Sequence, residues 1–93
     1  MKVIVLKNNL RDGLAAVERA VNDSTSNLPI LRNVLLKTFN NKIKISATNL
    51  ELAITKTISG KVNEEGGLTV PFHTFYSIVN NTDQDKINLQ KKR

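Results

Sequence analysis

The run Asn33-Val34-Leu35-Leu36-Lys37-Thr38-Phe39-Asn40-Asn41-Lys42-Ile43-Lys44-Ile45-Ser46-Ala47 decides the fold class. Its first seven residues are apolar enough for a strand covered on much of both faces. Asn40-Asn41 marks a tight turn, because Asn tolerates positive φ. From Lys42 to Ala47 the alternation is strict, with Ile43, Ile45 and Ala47 inward and the lysines outward. Two strands and a short turn make an antiparallel hairpin. Leu50, Leu52, Ile54 and Ile58 line one face of a third strand running to about Lys61, which completes a meander.

Toward the N-terminus, Lys2-Val3-Ile4-Val5-Leu6 reads as a strand, and Asn8 or Asn9 as the N-cap of a following helix. Leu10, Leu14, Val17 and Val21 form one apolar helical face, and Ala15, Ala16 and Ala20 favour the helix. Gly13 weakens it. The polar stretch Asn22-Asp23-Ser24-Thr25-Ser26-Asn27 ends it in a loop.

Toward the C-terminus the opening pattern returns. Leu68-Thr69-Val70 is a short strand after the loop Asn63-Glu64-Glu65-Gly66-Gly67. Pro71 suits the first turn of a helix. Phe72, Phe75, Tyr76 and Val79 fall at i, i+3, i+4 and i+7, so a second amphipathic helix follows and closes at Asn80-Asn81-Thr82-Asp83. Lys86-Ile87-Asn88-Leu89-Gln90 alternates as a strand. The order is therefore β-α-β-β-β and then β-α-β, a repeat whose second half lacks its last two strands. The expected class is α+β, an antiparallel sheet with both helices packed on one face. The core should bring Leu10, Leu14, Val17 and Val21 against Phe72, Phe75, Tyr76 and Val79, with Leu36, Ile45 and Leu52 beneath.

Ninety-three residues make one domain or part of one. The absence of cysteine excludes disulfides, thiolate metal sites and a Cys nucleophile, and a single histidine excludes a multi-His cluster. The longest apolar run, Val3 to Leu6, is too short for a membrane span or a signal-peptide core, so a cytoplasmic location and no membrane partner are expected. The net charge is +6, from fourteen Lys and Arg against eight Asp and Glu, and Lys91-Lys92-Arg93 supplies half of it. That bias suits an anionic partner without identifying one.

Catalytic candidates are thin. A catalytic histidine needs an orienting carboxylate and a nucleophile, and no local spacing supplies them for His73. Glu64-Glu65 are adjacent in a glycine-flanked turn, where neighbouring side chains point apart. Gly66-Gly67 lacks the spacing and the Lys-Ser/Thr of a phosphate loop. No cofactor is expected, and a small hydrolase is the weakest functional reading. An RNA-recognition module shares a similar element order but needs stacking aromatics on its middle strands. Lys42 to Ala47 and Leu50 to Ile58 carry none. Lys42, Lys44 and Lys56 read as the solvated face of the sheet.

Three stretches carry a family resemblance: Leu28-Pro29-Ile30-Leu31-Arg32-Asn33-Val34-Leu35-Leu36, Ala47-Thr48-Asn49-Leu50-Glu51-Leu52 and Leu68-Thr69-Val70-Pro71. In order and spacing, with Met1-Lys2-Val3 at the start, they resemble the bacterial sliding clamp, the β subunit of DNA polymerase III, in its N-terminal domain. The resemblance covers the whole chain. It implies two β-α-β-β-β halves about a pseudo-twofold axis, of which residues 1–93 would be a domain incomplete at its C-terminal end. It implies a non-enzymatic processivity factor: three such domains per subunit, and two subunits closed head to tail around duplex DNA. The peptide pocket for polymerase and clamp loader would lie in domains beyond this one. The family's DNA-contacting Arg before the LPIL motif maps to Thr25, or to Ser24 with a small slip. A second basic contact maps to His73, with Thr74 where a lysine is common. These departures imply weak phosphate attraction, with DNA held by encirclement. The alternative reading is a small stand-alone interaction domain that lends an open sheet edge to a partner protein.

Overall fold

The β-branched alternation of the chain is distributed over two antiparallel sheets. The computed structural model describes residues 1–22, 33–48 and 53–91. Leu50 and Leu52, expected at the head of the third strand, lie outside them. In chain order the described elements are β1 (Lys2–Leu6), α1 (Lys7–Asn22), β2 (Asn33–Phe39), β3 (Lys42–Thr48), β4 (Ala53–Ser59), β5 (Lys61–Glu64), β6 (Gly67–Pro71), α2 (Phe72–Asn81) and β7 (Lys86–Gln90). One sheet has the order β5-β1-β7 and the other β4-β3-β2-β6. Each half of the repeat gives its first strand to the sheet of the other half: β1 pairs with β7, and β6 with β2.

The hairpin forms as read. Asn40 and Asn41 both adopt positive φ (48° and 61°), and Phe39 pairs with Lys42 directly across the turn. Positive φ at both central residues matches the twist of the flanking strands. Ile43, Ile45 and Ala47 are buried, and so is Thr38 on the partner strand. The Thr38 hydroxyl accepts from the Gly66 N–H (2.8 Å) and donates to the Gly66 carbonyl (3.1 Å), while the Thr38 N–H donates to that same carbonyl (2.9 Å). The β5–β6 connection is thereby fastened to β2.

Three local expectations need correction. The third strand was expected to continue to Lys61 within one sheet. It ends at Ser59, and the chain crosses at Gly60 into the other sheet, where β5 pairs with β1. Ile54, Ile58 and Val62 keep the same parity across the crossing, so alternation alone could not reveal it. A Cβ on Gly60 would stand 3.1 Å from Ile43 Cδ1 and 3.3 Å from the Ile4 carbonyl oxygen, so the crossing uses a residue without one. Second, neither Asn8 nor Asn9 precedes α1, which begins at Lys7 directly after β1. The Lys7 N–H donates to the Asp85 carbonyl (2.8 Å), so the backbone before β7 satisfies a helix-start donor that a side-chain cap would otherwise take. Third, Pro71 ends β6 opposite Asn33 and caps α2 from outside, with an extended ψ of 125°.

The apolar stripe of α1 packs on β3 and β4 and against α2. Leu10, Leu14, Val17 and Val21 share one core with Val3, Val5, Val34, Leu36, Ile43, Ile45, Phe72 and Val79. Phe75 and Tyr76 are half-buried against it, and Tyr76 lies 5.2 Å from the Phe72 ring centroid. Gly13 sets the helix-to-sheet distance. A Cβ there would lie 2.7 Å from Ile45 Cδ1 and 3.1 Å from Ile58 Cγ2.

Two substitutions test this packing. Leu14→Ala should cost about 2–5 kcal/mol through the cavity it leaves. Gly13→Ala gains up to about 1 kcal/mol of helix propensity, but overpacking a fully buried Ile45 costs about 1–3 kcal/mol, so a net loss is expected. For a domain of this size about 1 kcal/mol corresponds to roughly 4–8 °C in thermal midpoint. Calorimetry should show both midpoints below that of the parent, and an unchanged midpoint for Leu14→Ala would refute the core assignment.

Candidate nucleic-acid interface

The two helices pack against each other and on the sheets, and each keeps a solvent-exposed face. On α1 the apolar stripe faces inward, so Arg11, Ala15 and Arg19 project outward at i, i+4 and i+8. Arg11 Nε lies 3.8 Å from the Asp12 carboxylate, and both side chains are largely exposed. Arg19 falls in the last turn, where the helix dipole favours a cation. The α2 sequence, Phe72 to Asn81, has no Asp, Glu, Lys or Arg. Its exposed residues are His73, Thr74, Ser77, Ile78, Asn80 and Asn81. Asn81 Nδ2 donates to Ser77 Oγ at 3.3 Å.

His73 is the second residue of α2, exposed, with its ring edge-on to Phe72 at 5.4 Å. Ser24 and Thr25 lie outside the described residues, so the three candidate contacts are not brought together as a described site. Lys56 needs reassignment. It pairs with buried Ile45, which places it on the helix side of β4, whereas Lys42 and Lys44 occupy the outer face. Its Cγ would lie 3.9 Å from a Cβ built on Gly13, so its stem runs beside α1 while the residue stays exposed. Parity counted along β4 from Ile54 and Ile58 would have found this. Arg11 and Arg19 were likewise legible as the complement of the apolar stripe.

The surface can attract phosphate through Arg11, Arg19 and Lys56. It can donate hydrogen bonds from Thr74, Ser77 and Asn80, contacts that carry no base-sequence information. Among the described residues no group of three or more His, Asp or Glu could hold a metal, and every buried side-chain polar atom has a partner.

The family model described as DNA polymerase III beta subunit, N-terminal domain, matches residues 1–93. The chain belongs to this family. It is 27% identical over 89 residues to the beta sliding clamp of Chlamydia muridarum, covering 96% of this chain and 24% of the relative. It is 34% identical over 89 residues to the beta sliding clamp of Vibrio harveyi, covering 94% of this chain and 60% of the relative. The crystal structure of the DNA polymerase sliding clamp from Caulobacter crescentus superposes with a TM-score of 0.90 at 28% identity, over 99% of this chain and 25% of that one. The chain thus spans about a quarter of the length of the first curated relatives it matches. The clamp-domain fold, two helices on antiparallel sheets, is shared with the beta-subunit structures.

The uncharged face of α2 gives a direct prediction. Thr74→Lys places a cation on an exposed position of that helix. It should raise affinity for duplex DNA and steepen the log–log salt slope by about 0.9, one phosphate's worth. Fluorescence anisotropy titrations at two salt concentrations check both quantities.

Proposed function

We propose that residues 1–93 act as the N-terminal segment of a DNA sliding clamp, a non-catalytic ring that encircles duplex DNA and keeps the replicative polymerase on it. The observation that carries this reading is the helix layer of α1 and α2 backed by two sheets, in a chain whose whole length matches the beta-subunit N-terminal family. The helix face would look toward DNA. A face with one uncharged helix and few cations suits a ring that must slide, because each fixed phosphate contact would have to be broken at every step. His73 and the Ser24–Thr25 loop would touch the DNA backbone, with Arg11, Arg19 and Lys56 supplying the attraction.

In this reading the ring closes head to tail with a second copy of the full-length protein, and the polymerase and clamp loader dock on other parts of it. The setting is the cytoplasm, where bacterial DNA is replicated. Consistent with that, no helix among the described residues is long and apolar enough to cross a membrane.

A second reading, a stand-alone domain lending a sheet edge to a partner, draws on β7. It pairs with β1 on one side, and among the described residues no strand pairs with its other side. Exposed N–H and C=O groups along such an edge can template pairing.

Duplex titration tests the first reading. Binding to short linear duplexes should be weak, indifferent to sequence and salt-sensitive, with a slope near −0.9 for each of about one to three phosphates. A clear preference for one sequence would sink it. Sedimentation tests the second: self-association that rises with concentration and salt is expected if the β7 edge is the working surface, since salt screens its lysines.

A further inference from the structure

We infer that the outer side of the β5-β1-β7 sheet is a docking groove for an acidic peptide carrying apolar anchor residues. The groove runs along the outer side of β1 and reaches Asn9 in the first turn of α1, but none of Arg11, Arg19, Lys56 or His73 lines it, so it is separate from the DNA reading and stands without it. Its volume is about 760 Å³, and it opens where the two sheets meet at Gly60, beside the Asn41 turn. Along its floor run Ile4 and Leu6 of β1, two residues apart on one face and therefore roughly 7 Å apart. Leu6 is 48% exposed, one of the few large apolar side chains left in water.

The register places a lysine on each flank of that apolar floor. Lys61 of β5 stands opposite Ile4, and Lys86 of β7 stands opposite Leu6. Both lysines line the groove and no carboxylate does. Among the described residues neither makes an ion pair. An apolar floor between two cations on opposite walls is complementary to an extended segment that puts alternate apolar side chains down and carboxylates toward the walls. Nucleic acid fits less well, because Ile4 and Leu6 offer no stacking platform for bases.

The test uses the full 93-residue chain and a fluorescein-labelled Asp-Leu-Asp-Leu-Asp peptide as probe, read by anisotropy and by backbone amide shifts. Binding is expected to shift Gly60 and Lys61, and to weaken as salt rises. The double variant Lys61→Glu/Lys86→Glu should raise Kd by at least about tenfold, since two attractive charges become repulsive. Leu6→Ser should also weaken binding. Lys37→Glu/Lys44→Glu, on the outer face of the other sheet, should leave Kd within about twofold. Circular dichroism establishes that each variant is folded. Equal affinity for the Asn-Leu-Asn-Leu-Asn peptide, or indifference to the Lys61 and Lys86 reversals, would overturn the proposal. So would displacement of the probe by a stoichiometric DNA duplex, which would make the groove a phosphate site.

Discussion

The close approach of α1 to β3 and β4 at Gly13 is the constraint on which the rest of the structure depends. Ile45 and Ile58 come up to the helix where Gly13 leaves room, and the 2.7 Å that a Cβ would leave to Ile45 Cδ1 shows how little slack there is. With the helix at that depth, Leu10, Leu14 and Val17 become fully buried. A glycine in mid-helix costs about 1 kcal/mol of propensity, which the packing it permits must exceed. A small domain has few places to recover such a loss, so the helix and the meander stand or fall together.

The second device is the exchange of strands between halves. Because β1 joins the sheet of β7 and β6 joins the sheet of β2, neither half can bury its core without the other. The contacts that fasten the exchange are short and polar. Thr38 holds Gly66 by three hydrogen bonds, the Lys91 N–H donates to the Met1 carbonyl at 3.0 Å, and the Met1 ammonium lies 3.8 Å from Glu64. The Met1–Glu64 pair adds little by itself, since the Glu64 carboxylate is exposed and solvent screens it. The Thr38 hydroxyl matters more, because its loss would leave a partly buried Gly66 N–H without an acceptor.

Most of the fold was legible because two periods are easy to tell apart. Leu10, Leu14, Val17 and Val21 at helical spacing, and Ile43, Ile45 and Ala47 at strand spacing, end up where that spacing puts them. The crossing at Gly60 was not legible. A strand that changes sheets keeps its alternation, and only the identity of its hydrogen-bonding partner changes. The start of α1 was misread for a related reason: its first N–H is satisfied by Asp85, a residue far away in sequence, and no local cap signal is needed. Of the candidate DNA contacts only His73 can be placed. The cations that share its side of the molecule, Arg11, Arg19 and Lys56, are assigned by helix and strand parity and not by any motif.

Charge is where composition and structure diverge most. A basic chain invites the inference that its basic surface meets DNA. Yet Lys37, Lys42 and Lys44 lie on the outer face of the β4-β3-β2-β6 sheet, and Lys61 and Lys86 on the outer face of the other. The helix side, which the clamp reading turns toward DNA, carries α2 with no formal charge at all. Lys37 and Lys44 even stand directly opposite each other, an arrangement that destabilises a sheet unless something else compensates. Among the described residues, the lysines that lie away from the proposed DNA surface therefore outnumber Arg11, Arg19 and Lys56 on it. Under the clamp proposal, encirclement would account for the sparse charge on the helix side, because a closed ring needs no tight phosphate grip to stay on its track. It leaves the outer lysines without a role in holding DNA. For two of them, Lys61 and Lys86, the placement beside Ile4 and the exposed Leu6 accords with the proposed recognition of an acidic segment on that outer face.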